Sequence, residues 1–107
     1  MNSTRIKLLE KYAEEEPENP FNKYALAMEY YDLAPEKSVE ILSNLADQHP
    51  NYLPTYYKLA HLLWDLEVWD SASTFFKKGI EIATRQSDEK ALKELNAAFQ
   101  NFLFEMD

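Results

Sequence analysis

Cysteine is missing from the chain altogether, and only one glycine, Gly79, occurs in it. Without a thiol there is no disulfide framework, no thiolate zinc site and no cysteine nucleophile. A β-rich fold of this size would need many tight turns, and glycine is the residue that usually supplies them. Phosphate-cradling loops need several glycines together and are excluded as well. Basic residues are also few: 11 Lys and Arg stand against 19 Asp and Glu, a net charge of −8. A generic nucleic-acid binder needs a positive footprint, so nucleic acid is not an expected partner. Anionic membrane surfaces are disfavoured for the same reason. No apolar run resembles a signal peptide or a membrane span, and a cytoplasmic setting is expected. The acidity favours solubility and biases the chain towards basic partners.

What is present is apolar material. Of 107 residues, 46% are hydrophobic and 14% aromatic, enough for one domain with a modest core. The apolar residues recur at spacings of three and four, the signature of amphipathic helices. Ile6, Leu9, Tyr12 and Ala13 form the first such face, with Ser3 as the expected N-cap. The acidic run Glu14–Glu16 and the prolines Pro17 and Pro20 end it. A second helix is expected from about Pro20 to Leu33, then a third carrying Val39, Ile41, Leu42, Leu45 and Ala46 up to His49-Pro50. A fourth starts around Leu53-Pro54 with Tyr56, Leu59, Ala60 and Leu63. After a turn near Glu67-Val68, a fifth carries Ala72, Phe75, Phe76, Gly79 and Ile80. Gln86-Ser87-Asp88 makes the last break, with Ser87 or Asp88 as N-cap, and a sixth helix runs from about Glu89 towards the C-terminus.

The chain repeats itself at a period of about 34 residues, the mark of a helical-hairpin array. Leu26-Ala27 returns as Leu59-Ala60, Asp32-Leu33 as Asp65-Leu66, and the segment from Pro17 to Phe21 as that from Pro50 to Pro54. The later unit reads Tyr56-x2-Leu59-Ala60-x2-Leu63, then Ala72-x3-Phe76. This resembles the tetratricopeptide repeat, in which Trp-x2-Leu-Gly-x2-Tyr on a first helix is followed by Ala-x3-Phe and a late proline on a second. Trp69 occupies the family's turn aromatic, and Thr84 stands where the late proline would be. The earlier unit reads Lys23-x2-Leu26-Ala27-x2-Tyr30, Ser38-x3-Leu42, Pro50. It departs from the pattern at Lys23 and Ser38, and its inter-helix turn is one residue short. The resemblance spans residues 5–100 and has the look of a small bacterial member of the family.

The fold it implies is all-α: a right-handed superhelix of antiparallel hairpins in one domain, with about six helices. Residues 20–52 and 53–86 make two full repeats, and residues 3–16 and 88–106 are flanking half-units. A lone hairpin cannot bury its apolar face, so the halves are needed to complete the stack. The function it implies is protein–protein interaction through the concave face of the first helix of each hairpin. Carried over by position, that face holds Phe21, Tyr24, Met28, Tyr31 and Asp32, then Tyr57, His61, Trp64 and Asp65, with Lys90, Lys93, Ala97 and Gln100 from the last helix. Such aromatics anchor a partner peptide or helix because they bury large area at low entropic cost. The plain alternative is that the last helix folds over these residues and makes them core. The family's carboxylate-gripping set is not matched, since Tyr24 and Met28 hold the corresponding positions.

The last helix carries an unusual apolar load. Leu92, Leu95, Phe99, Phe102 and Met106 follow a heptad-like spacing, with Leu103 and Phe104 beside them. Such a helix either packs into its own array or joins a second copy as a homodimer. Little else points to chemistry. His61 and Asp65 pair on one helix but lack a neighbouring nucleophile, and no enzyme activity is expected. The two histidines, His49 and His61, are not spaced as a zinc pair, and no metal or cofactor is expected. The cluster Glu14, Glu15, Glu16 and Glu18 lacks the glycine of a calcium loop and reads as a solvated turn. Trp64-Asp65 and Trp69-Asp70 resemble the dipeptide of propeller repeats but fall on helices. The remaining alternatives to an interaction module are a purely self-associating helical protein and an accessory domain of an enzyme.

Overall fold

The computed structural model describes residues 3–106, and among these every regular element is an α-helix. In chain order they are α1 (Ser3–Glu15), α2 (Pro20–Tyr30), α3 (Pro35–Gln48), α4 (Pro54–Asp65), α5 (Trp69–Arg85) and α6 (Glu89–Met106). Ser3, the expected N-cap of the first helix, is already helical. Proline opens α2, α3 and α4, where its missing N–H is not needed by the helix. Asn19 caps α2, its side-chain oxygen accepting from Phe21 N at 3.1 Å. At the last break the cap is Asp88, whose carboxylate accepts from Ala91 N at 3.0 Å. The chain falls into two compact units, divided between Thr55 and Tyr56 at the first turn of α4.

In the first unit α2 packs on both α1 and α3. The pairs run antiparallel. Arg5, early in α1, forms an ion pair with Glu29, late in α2. Lys23, early in α2, donates to Gln48 at the end of α3. The helix α2 stops at Tyr30, short of the Leu33 that its apolar pattern predicts. Tyr31 N–H turns back to the carbonyl of Met28 at 3.3 Å, and Ala34 N–H to that of Tyr30 at 2.8 Å. Ala34 precedes Pro35 and is held out of the helical region.

That early stop explains Ser38, the residue that departs from the alanine of the repeat pattern. With Tyr31 N–H drawn to Met28, the carbonyl of Ala27 needs another donor. The Ser38 hydroxyl, fully buried, supplies it at 2.8 Å. A side chain on α3 thus takes over a bond that α2 would otherwise make for itself.

In the second unit the contacts again fix antiparallel neighbours. Tyr56, early in α4, meets Phe75 and Gly79 on α5. Trp64, late in α4, meets Phe76. Leu95 of α6 reaches Gly79, and Phe102 near the end of α6 reaches Trp69 at the start of α5. Gly79 sits where three helices approach most closely: a Cβ there would lie 2.9 Å from the Cβ of Tyr56 and 3.1 Å from a Leu95 methyl. Glycine weakens a helix interior, but here its missing side chain is what admits both neighbours.

Both α4 and α5 end in the same way. Val68 N–H bonds to Leu63 O and Glu67 N–H to Trp64 O; Asp88 N–H bonds to Ala83 O and Ser87 N–H to Thr84 O. This double bond pattern is the Schellman closure, whose pivot residue takes a left-handed conformation. Glycine is the usual pivot, but here Glu67 (φ 60°) and Ser87 (φ 55°) serve. Each carries a Cβ penalty of about 1 kcal/mol.

The repeat positions identified in the sequence have matched surroundings. Ala27 and Ala60, Leu42 and Phe76, and Ser38 and Ala72 are all fully buried. The Ser38 bond gives a result opposite to the family preference for alanine: Ser38→Ala lowers stability by about 1 kcal/mol, because it leaves the buried Ala27 carbonyl short of a donor. Urea unfolding of the two proteins, compared at equal m-value, measures the difference.

Candidate interaction surface

The side chains of α2, and that of Tyr31 just beyond it, which the sequence assigns to a partner face, differ in exposure. Phe21 stands out in solvent, 57% exposed, while Tyr24, Met28 and Tyr31 are half-buried. Tyr24 packs edge-on against Tyr52, ring centroids 5.9 Å apart. Burial raises both phenols above their ordinary value, for Tyr24 with a smaller contribution from Tyr52, so both keep their proton at neutral pH. They remain donors as well as apolar surfaces, the combination that suits a wet interface.

In the second unit Tyr57, His61 and Trp64 follow one another along α4. The His61 ring lies 4.4 Å from that of Tyr57 and 5.5 Å from that of Trp64. Behind them stands Phe76, fully buried, with His61, Trp64, Phe99 and Phe102 around it at 5.4–6.2 Å. Trp64 also meets Phe102 edge-on at 5.5 Å. One side of this tryptophan is therefore core, and the rest of it remains half-exposed. Asp65, next to it, is exposed.

The apolar residues of α6 divide. Leu95 and Phe102 are buried inside the unit, and Leu92 and Phe99 are half-buried. Phe104 is 78% exposed, and Leu103 and Met106 beside it are exposed as well. The heptad-like spacing does not separate these two groups, because the helix turns its stripe towards Phe76 and leaves the adjacent positions outside.

Three residues join the sequence-assigned face that pattern reading did not place there. His61, Trp64 and Asp65 line a pocket of about 450 Å³ together with Glu67, Trp69 and Glu105. Trp69 was legible only as a turn aromatic, Glu67 only as part of a turn, and Glu105 gave no signal, since it comes from the far end of α6.

The His61 imidazole is in an unfavourable setting. Its Nε2 is buried and has no hydrogen-bond partner among the described residues. Burial holds its pKa below the ordinary value; Asp65 opposes this and Lys58 adds to it. A lowered histidine pKa means that the unfolded chain binds protons that the folded chain refuses. Stability therefore falls as pH drops below about 6.5 and is fully present above it.

Among the described residues no group of His, Asp and Glu is arranged to hold a metal ion. Among these residues, too, no helix is long and apolar enough to cross a membrane.

These features define the class: an all-α array of helical hairpins that presents aromatic side chains on the first helix of each hairpin. A tetratricopeptide repeat domain protein from Salinibacter ruber, solved in solution, is 33% identical, with a TM-score of 0.75 over 80% of this chain and 88% of its own. A crystal structure of such a protein from the same organism is 32% identical, with a TM-score of 0.74 over 78% and 96%. A protein from Bordetella parapertussis shares the fold at 19% identity, with a TM-score of 0.79 over 98% of this chain and 91% of its own. No family model matches the chain, and no curated protein does. The chain belongs to the tetratricopeptide repeat family, whose fold is used generally for protein–protein interaction.

Replacing His61 by phenylalanine keeps a ring and removes the orphaned nitrogen. His61→Phe raises stability at pH 7 by about 1 kcal/mol. It also flattens the loss of stability between about pH 7 and pH 5. Denaturation at a series of pH values checks both; an unchanged slope contradicts the assignment.

Proposed function

We propose that this protein is a non-catalytic interaction module that binds a peptide or helix of a partner protein through the aromatic side chains of α2 and α4. In the first unit the binding residues are Phe21, Tyr24, Met28 and Tyr31; in the second they are Tyr57, His61, Trp64 and Asp65. The observation that carries the reading is Phe21. A large aromatic side chain with more than half its surface in water, beside half-buried Tyr24, offers a partner aromatic area to cover. The family supports a polypeptide rather than a small molecule as the ligand. A cytoplasmic setting fits a chain that carries no cysteine.

A self-associating role has its own support in the exposed cluster Leu103, Phe104 and Met106 at the end of α6. Leu95 and Phe102 lie outside any such interface, being buried within the unit. The two roles use different surfaces and are compatible.

The test is selection from a displayed library of random peptides, followed by affinity measurement on variants. Phe21→Ala and Tyr57→Ala each weaken the selected peptides by about tenfold, the effect of removing a central aromatic anchor. Leu8→Ala, an exposed apolar position on α1, leaves them unchanged. Peptides that bind all four proteins equally contradict the proposal.

A further inference from the structure

We infer that the pocket at the end of α4 is a receptor for an arginine side chain of the partner polypeptide. Its lining combines two kinds of group. Trp64 and Trp69 line it with indole rings, the strongest aromatic surfaces for a cation. Asp65, Glu67 and Glu105 place three carboxylates on the same concavity. Among the described residues, ion pairs engage Glu29, Glu15, Glu40 and Glu81, on other parts of the chain. At about 450 Å³ the concavity falls within the size range of small-ligand clefts.

The chemistry selects among cations. A guanidinium is planar and weakly hydrated, stacks on an indole, and directs a fork of donors at carboxylates in the plane of the stack. It can use both parts of this lining at once. A lysine ammonium is a compact, strongly hydrated point charge and gains less from the indoles. A trimethylated lysine has no donors for the three carboxylates. The net charge of −8 adds a long-range attraction for a basic partner.

The local fold explains why the pocket forms. The Schellman turn at Glu67 reverses the chain between Asp65 and Trp69 and brings the ends of α4 and α5 to one place. Phe102 packs on both Trp64 and Trp69 and carries Glu105, one helical turn later, to the same rim.

This inference rests on the interaction reading in taking the ligand to be a polypeptide, and it is tested without the partner. The chain has two tryptophans, both in the pocket, so its two indole N–H resonances report on this site alone. N-acetyl-arginine amide is titrated into isotope-labelled protein at low salt, with the citrulline and lysine amides as probes of charge and shape. Saturable shifts of both indole resonances by the arginine amide are expected. The lysine and citrulline amides should bind about fivefold or more weakly. Glu67→Gln/Glu105→Gln should weaken the arginine amide by about fivefold to tenfold, with the circular dichroism unchanged. Glu10→Gln/Glu14→Gln, which lowers the net charge equally in the first unit, should not. Citrulline binding like arginine, lysine binding as well as arginine, or equal weakening by both double variants overturns the inference. Library peptides that still depend on Phe21 and Tyr57 but show no arginine preference would end this inference and leave the interaction reading standing.

Discussion

The second unit depends on the burial of one ring. Phe76 lies on α5 with no exposed surface, and aromatic side chains from α4 and α6 close on it from two sides. A hairpin of two amphipathic helices leaves one apolar face in water, so α4 and α5 alone would not hold. The third helix completes the burial, and Phe99 and Phe102 are the means. Gly79, one turn further along α5, lets the backbones come close enough for those rings to meet. The two features are complementary: a large ring fills the gap at one level, and an absent side chain removes a clash at the next.

The same packing sets the surface. Trp64 and Trp69 each rest against Phe102, so their positions follow from where α6 docks. That core contact holds each indole in place while part of it stays in solvent. Preorganised aromatic surface binds at lower entropic cost than mobile surface, which suits residues that receive a partner. His61 shows the opposite side of this arrangement. It shares the aromatic row, yet its buried nitrogen lacks a partner, and a phenylalanine would pack there at less cost. Surfaces built for recognition commonly keep such locally unfavourable residues.

Much of the fold could be read from the sequence because its signals are local. Prolines at positions 20, 35 and 54 mark helix starts, and the apolar spacing gives the faces. The alignment of Ala27 with Ala60 and Leu42 with Phe76 needs only the repeat period, and all four are buried. What could not be read depends on non-local geometry. Nothing in the pattern shows that Ser38 bonds to Ala27 O, because that bond arises only once α2 stops early. Glu67 and Ser87 gave no sign of left-handed backbone, since neither is the glycine such turns prefer. In α6 the spacing grouped Phe102 with Met106, whereas docking buries the first and exposes the second. Half of the pocket was legible, the half on α4; Trp69 and Glu105 come to it through a turn and a helix end whose placement no local rule gives.

The most direct test of this account is unfolding of Phe76→Ala followed by tryptophan fluorescence, because both indoles belong to the second unit and report on it alone. If the ring of Phe76 holds α4, α5 and α6 together, the variant loses about 3–5 kcal/mol, and its emission shifts towards that of exposed indole. A loss below about 1 kcal/mol, with the native emission retained, would mean that the three helices are held by something else.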